Sequence, residues 1–309
     1  MKRLLITGAG GFLGRHCLTA LSNEEYDVHA TSRRPPAASS TNRVSWHECD
    51  LLSPGACHNL VARLRPTHLL HLAWYAVPGS FWEAPENHEW VRASLELAKA
   101  FAENGGKRLV GAGTCAEYGL QSGECLERAT PLSPQSLYAQ SKVVTQQGIA
   151  RLAEQSGISS AWARVFFLYG PYEDSRRVVP YVIRCLLSGH EALCSDANQV
   201  LDLLHVSDVA SAIVAILNSD LHGPVNIGSG TAIRLNQALL EIGRQTSRSE
   251  LLRLGARPSA AAPERIWANI GLLTTSTSWR PAVDLKEGLR QTIDWWKQFP
   301  DGMQTVARS

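Results

Sequence analysis

A chain of 309 residues, 44% hydrophobic and 19% charged, carries enough apolar material for a sizeable core and has the balance of an ordinary globular enzyme. Its formal charge of +2 and the lack of any dense Lys/Arg run argue against nucleic acid or a membrane surface as partner. Seven cysteines, odd in number and without CxxC spacing, read as reduced thiols rather than a disulfide framework or zinc site, and no metal is expected.

Behind Met1-Lys2-Arg3 the apolar run stops at Ile6, too short for a signal peptide or a spanning segment, so a cytoplasmic chain without membrane contact is expected. Leu4–Leu13 (LLITGAGGFL) reads as strand, tight turn and helix start, with glycines at 8, 11 and 14. That spacing is not GxGxxG, since position 13 is Leu. It still places a glycine at the turn, one where backbone nears a phosphate, and one where helix meets sheet. Gly8, Gly11, Phe12, Leu13 and Gly14 are therefore expected to hold a pyrophosphate. The alternative is an ordinary glycine-rich β-turn-α connection.

Tyr26–Thr31 alternates as a second strand, and the position where an acid would hold a ribose 2′-hydroxyl reads Ser32-Arg33-Arg34. Asp27 lies at the wrong end of that strand. Arg33 and Arg34 suit a 2′-phosphate, which favours NADP(H) over NAD(H); as solvated loop residues they would favour neither. Val44–Cys49 is a third strand, followed by Asp50 and Leu51, placed to frame an adenine. Leu60–Leu64 is helical, and Thr67–Ala73 is a buried parallel strand ending at Ala73. Trp74–Trp90 carries three tryptophans, a phenylalanine and two prolines, so Trp74 and Trp82 either pack a long loop or line a substrate crevice. Val91–Glu103 is an amphipathic helix, Arg108–Gly111 a strand running into Thr114, and Gln121–Pro134 a loop. A helix over Leu137–Ala153 is followed by one strand over Ser159–Leu168. Beyond it lie a helix at Val178–Leu187, an edge segment at Asp202–Val206 and a helix at Val209–Leu217. A short strand at Val225–Ile227, a helix at Leu235–Gln245, short elements over Leu251–Arg280 and a final helix at Leu285–Lys297 complete the chain. Strand–helix alternation predicts an α/β fold with a parallel sheet covered on both faces.

Tyr138 and Lys142, four apart, share one helix face. A neighbouring ammonium is expected to lower the phenol from its ordinary value near 10 and make it an acid–base group, while the lysine holds a ribose. Thr114, at a strand end, is placed to bind the same substrate oxygen. His68 and His71 lie on a strand without metal or triad spacing. His205 reads as structural, and Asp202 and Asp208 either act as general acids or, as such acids near a strand end more often do, hold loops together.

TGAGGFLG (7–14), Asp50-Leu51, HLA (71–73), Thr114 with Tyr118-Gly119, YAQSK (138–142), RVFFLYGP (164–171), HVSDVA (205–210) and NIGSG (226–230) occur in one order. Together they resemble an extended short-chain dehydrogenase/reductase of the nucleotide-sugar epimerase/dehydratase type. The resemblance implies a Rossmann doubly wound sheet over 1–170, completed by 196–226, with a smaller substrate-binding domain from 171–195 and 227–309. It implies Thr114, Tyr138 and Lys142 as catalytic residues, a nucleotide-sugar between the domains, and a homodimer. Trp74, Trp82, Cys115, Phe167, Val178 and Arg257 are the expected substrate contacts. The family's dehydratases follow the threonine with Asp-Glu; Cys115 and Ala116 here cannot eliminate water. Phe167, Leu201 and Trp90 likewise depart from residues usual in the family. The expected activity is NADPH-dependent reduction of a nucleotide-activated 4-keto-6-deoxy sugar. Alternatives are an NAD(P)-dependent 4-epimerase, a reductase of a non-sugar ketone, and a catalytically silent cofactor sensor.

Overall fold

Leu4, Leu5 and Ile6 are all fully buried, because the strand they form is covered on both faces. In the computed structural model, which describes residues 2–36, 44–120, 123–258 and 265–300, this run is the centre of β1 (Lys2–Thr7). After it come α1 (Phe12–Ala20), β2 (Tyr26–Ser32), β3 (Val44–Glu48), α2 (Ala56–Leu64) and β4 (His68–His71). Then follow α3 (Glu86–Glu103), β5 (Arg108–Thr114), β6 (Gly123–Cys125), α4 (Leu137–Ser156), β7 (Ser159–Val165) and β8 (Phe167–Tyr169). The next segments are α5 (Val178–Leu187), β9 (Ala192–Leu193), β10 (Val200–Leu201), β11 (Leu203–His205), α6 (Val206–Leu217) and β12 (Gly223–Ile227). The last are β13 (Ile233–Arg234), α7 (Leu235–Thr246), β14 (Leu252–Arg253), β15 (Arg265–Ala268), α8 (Gly271–Ser276) and α9 (Leu285–Gln298).

Seven strands form one parallel sheet in the order β12-β7-β5-β4-β1-β2-β3. Leu4, Ile6, Val110, Ala161 and Val225 pack on α1 and α6, whereas Leu5, Leu69, Leu109 and Trp162 face α2, α3 and α4. Alternate side chains of each strand thus enter two cores, which is the doubly wound α/β Rossmann arrangement expected from the sequence. Each fully buried leucine there contributes about 1.5–3 kcal/mol relative to exposure. A third core joins α5, α7 and α9 through Val182, Ile183, Leu239, Ile242, Leu289 and Trp296. No helix among the described residues is long and apolar enough to cross a membrane.

Several elements differ from the sequence reading. Ser159–Leu168 is two strands. At Phe166, buried at 3% exposure, the chain leaves the large sheet, and Phe167–Tyr169 pairs with β11. The Phe166 N–H still donates to Ile227 O, while that of Phe167 donates to Asp202 O. The segment at Asp202–Val206 is likewise split: β10 and β11 lie in different sheets and α6 begins at Val206. Within Gln121–Pro134, read as loop, Gly123–Cys125 is a strand beside β15, a partner too distant in sequence for local pattern to reveal. Residues 121–122 lie outside the described residues. Helix α3 starts at Glu86, five residues early, with Glu86 and Glu89 favourable to its positive N-terminal end. Helix α2 likewise starts at Ala56, four residues ahead of the expected Leu60.

Asp202 sits between β10 and β11 and accepts from the backbone N–H groups of Ser229, Gly230 and Ala268, so one carboxylate ties three segments. Asp208 does the same for Ala282 and Val283. His205 accepts from the Ser207 N–H as the N-cap of α6. All three thus have the structural roles expected of them.

Candidate active site

The glycine turn packs too closely for side chains. Gly8 has φ +69°, and a Cβ on it would stand 2.7 Å from Ala73 N. One on Gly14 would collide with Gly8 O and Ala9. At Gly10 a Cβ would meet only Ser32 Oγ at 3.7 Å, so that side of the turn is open. Helix α1 begins after Gly11 with no side-chain cap and no acid in its first turn. The leading N–H groups at Phe12, Leu13 and Gly14, at the positive end of the helix dipole, therefore await an anion. Glycine cradle and uncapped helix together fit the pyrophosphate of a dinucleotide. Arg15, which the sequence reading missed, braces the turn: it donates to Gly10 O at 2.9 Å, and its guanidinium lies 4.3 Å from the Tyr172 ring centroid.

At the end of β2, Ser32 Oγ accepts from Arg34 N at 3.1 Å and donates to Arg34 O at 3.0 Å. Arg33 and Arg34 are exposed and follow directly on Ser32, the residue that borders Gly10 of the turn. Asp27 is tied to Arg3 and His29, remote from that end. Asp50 is exposed and accepts from Leu52 N, but the Leu51 side chain is packed into the core at 4% exposure.

The candidate catalytic groups meet above β5. Ser136 caps α4 by accepting from Ala139 N at 3.2 Å, while Trp82 O accepts from Tyr138 N at 2.9 Å and the Glu83 carboxylate from Leu137 N at 3.4 Å. All three leading donors of the helix are thereby satisfied, and the Tyr138 ring is held edge-on against Phe81 at 4.8 Å. Thr114 Oγ1 accepts from Ala116 N at 3.2 Å, and its side chain acts to lower the Tyr138 phenol. Lys142 is buried, and its Nζ donates to Ala112 O at 2.8 Å.

Electrostatics differ from the sequence expectation. Burial pushes Tyr138 above the ordinary phenol range, outweighing the Thr114 side chain, and the fields of Glu117 and Cys115 push the same way as burial. Burial also lowers Lys142 to about 7 against the field of Glu117. The lysine therefore does not depress the tyrosine here; their ring-to-ammonium distance is 5.9 Å, and both share a dry site.

The sequence reading also missed what lies beneath. Glu117 is fully buried and accepts from Thr114 N at 2.9 Å, Trp162 Nε1 at 2.8 Å and Arg164 Nε at 2.7 Å. Arg164 also donates to Tyr118 Oη, whose hydroxyl donates to Asn226. Asn87, fully buried, is a second hub: it donates to Phe81 O and Ala84 O and accepts from Trp74 Nε1. Arg177 lies 5.3 Å from the Phe81 ring and its field reaches both Tyr138 and Glu173. Oε2 of Glu173 is buried without a hydrogen-bond partner among the described residues.

Of the expected substrate contacts, Trp74 and Trp82 surround Tyr138 at 6.5 and 5.8 Å. Trp82 is 44% exposed, while Trp74 turns its ring face to Lys142. Cys115 is in a core cluster against which Phe167 packs, and its thiol is pushed up by burial. Val178 is exposed next to Arg177. Arg257 instead lies over Tyr181 with its N–H on Cys194 O, and no contact links it to Tyr138. His71 bridges Thr7 and Ser94 and is kept neutral by burial, which lowers it to about 3.

The family model described as "NAD dependent epimerase/dehydratase family" matches residues 4–228. UDP-glucuronic acid decarboxylase 1 of Xenopus tropicalis is 27% identical over 325 aligned positions, covering 96% of this chain and 72% of that protein. UDP-glucose 4-epimerase of Thermus thermophilus, solved with NAD, superimposes with a TM-score of 0.83 at 26% identity, covering 96% and 99% of the two chains. dTDP-glucose 4,6-dehydratase of Bacillus anthracis shares the fold, with a TM-score of 0.86 at 19% identity over 97% and 98%.

Proposed function

The chain belongs to the NAD dependent epimerase/dehydratase family, and we propose that within it the protein is an NADPH-dependent reductase of a nucleotide-activated 4-keto-6-deoxy sugar. The observation that carries the reading is a complete Thr114–Tyr138–Lys142 set followed by a buried thiol and a methyl group, Cys115 and Ala116, where elimination of water would need acids. The cofactor, when bound, supplies the hydride. Gly8, Gly11, Gly14 and the N–H groups of Phe12 and Leu13 hold its pyrophosphate, with Ala73 closing the turn. Arg33 and Arg34 would pair with a 2′-phosphate, and Asp50 would hold the adenosine end. Lys142 holds the nicotinamide ribose. Tyr138, kept protonated by burial, gives its proton to the carbonyl oxygen as that oxygen becomes a hydroxyl; Thr114 fixes the oxygen by hydrogen bonding.

Residues 171–195 and 227–309 would form the substrate-binding domain, with Trp82, Phe167 and Val178 at the sugar. A cytoplasmic homodimer completes the proposal. The NAD held by the Thermus thermophilus epimerase supports a second reading, a 4-epimerase that reduces its own keto intermediate from the other face. A panel of nucleotide 4-keto-6-deoxy sugars and of intact nucleotide-sugars, followed by loss of NADPH absorbance and by product analysis, separates the two. Net NADPH oxidation supports the reductase; interconversion of intact nucleotide-sugars without net cofactor change supports the epimerase and refutes it.

A further inference from the structure

The Lys142 ammonium has three N–H donors. One is spent on Ala112 O at 2.8 Å. The Nζ also stands 3.8 Å from the centroid of the Trp74 ring, with Trp162 at 5.7 Å and Tyr138 at 5.9 Å, so three aromatic rings stand near the charge and Trp74 is much the nearest. Trp74 is itself anchored. Its indole N–H donates to Asn87 at 2.8 Å, and it stacks on Trp90 at 6.1 Å with planes 29° apart. An aromatic face this close attracts an ammonium through the negative charge above its ring, most strongly where water is excluded.

We infer that Trp74 is a positioning residue for Lys142: its face holds the ammonium charged and fixes its rotation, so that one of the two remaining N–H groups is aimed at the cofactor ribose. This rests on the reading of Lys142 as the lysine that binds that ribose. The other groups facing Lys142 are Tyr138 on its own helix, Glu117 from the turn after β5, whose field favours the ammonium, and His71 on β4, which stays neutral. Because burial lowers Lys142 to about 7, the ring attraction falls where it decides the charge near neutral pH. Glu117 and the anchored Trp74 ring thus both favour the charged form of Lys142.

Lysine labelled with ¹³C at Cε reads the charge directly, since Lys142 is one of six lysines and its resonance is the one absent from Lys142→Met. In the unaltered protein its Hε protons are expected upfield of the other five, shifted by the Trp74 ring current. Trp74→Leu, which still excludes water but has no ring, is expected to abolish that shift and to lower the titration midpoint by about one pH unit. Trp74→Phe is expected to lie between the two, and it remains informative if the leucine variant folds poorly. An Hε resonance among those of the exposed lysines, or a midpoint unmoved in Trp74→Leu, would overturn the inference. Dinucleotide affinity, followed by fluorescence, should be kept below the midpoint and fall above it. Affinity lost at every pH with the Lys142 resonance unchanged would instead assign Trp74 to the cofactor and overturn the positioning role. If the unaltered protein binds no dinucleotide, the functional reading fails on its own, and the resonance still decides whether Trp74 holds Lys142.

Discussion

Replacing Glu117 by Gln tests whether the buried carboxylate beneath Thr114 supports the site. In the structure Oε1 serves Thr114 N and Trp162 Nε1, while Oε2 meets Arg164 Nε, and the two paired side chains are 0% and 2% exposed. A glutamine that keeps Oε1 in place must turn its NH₂ toward the guanidinium, donor against donor. The Arg164 charge is then buried without compensation, which costs about 3–5 kcal/mol. At about 2–4 °C per kcal/mol for a large domain, that corresponds to about 10 °C of Tm. Urea and thermal unfolding followed by circular dichroism give the number. Adding Arg164→Met removes the stranded charge and is expected to recover part of the loss. A cost below about 1 kcal/mol, the level of an exposed pair, or a double variant less stable than the single one, would refute the reasoning.

Three further outcomes follow from the site. Tyr138→Phe removes the transferable proton but keeps the ring against Phe81, so turnover should fall at least about 100-fold with dinucleotide affinity retained; retained activity in the panel assay would sink the mechanism. Arg33→Ala with Arg34→Ala should weaken NADPH far more than NADH in fluorescence titrations, and equal losses would remove the 2′-phosphate argument. Glu173 gives a pH test. Burial holds its carboxyl up at about 8, against an ordinary 4.5, so between those values only the unfolded chain releases the proton and stability falls as pH rises. Glu173→Gln should flatten that slope, matching the parent near pH 4.5 and exceeding its Tm at pH 8; parallel curves would contradict the assignment.

The parts of the site legible in the sequence are those whose physics is local. Tyr138 and Lys142 are one helical turn apart, and the glycine turn is a contiguous strand–turn–helix, so spacing alone exposes them. Glu117, Asn87 and Arg164 were missed because their roles are set by partners brought in by the fold: Glu117 reaches Arg164 across 47 residues. The same limit explains Gly123–Cys125, whose neighbouring strand is contributed by the last part of the chain, and the break at Phe166, where an unbroken apolar run conceals a change of sheet. The state of Tyr138 was misjudged for a related reason. Counting charges along a helix registers the lysine but not the dryness that both groups share.

The α4 N-terminus engages residue 82 through its carbonyl, not its indole. Any residue with an ordinary backbone conformation offers that same oxygen, so the anchoring of the α4 N-terminus survives a change of side chain at 82, whereas the indole's edge contact with the Tyr138 ring does not. Under the proposed function, this half-exposed position is one where substrate selectivity would change while the helix that carries Tyr138 keeps its anchor.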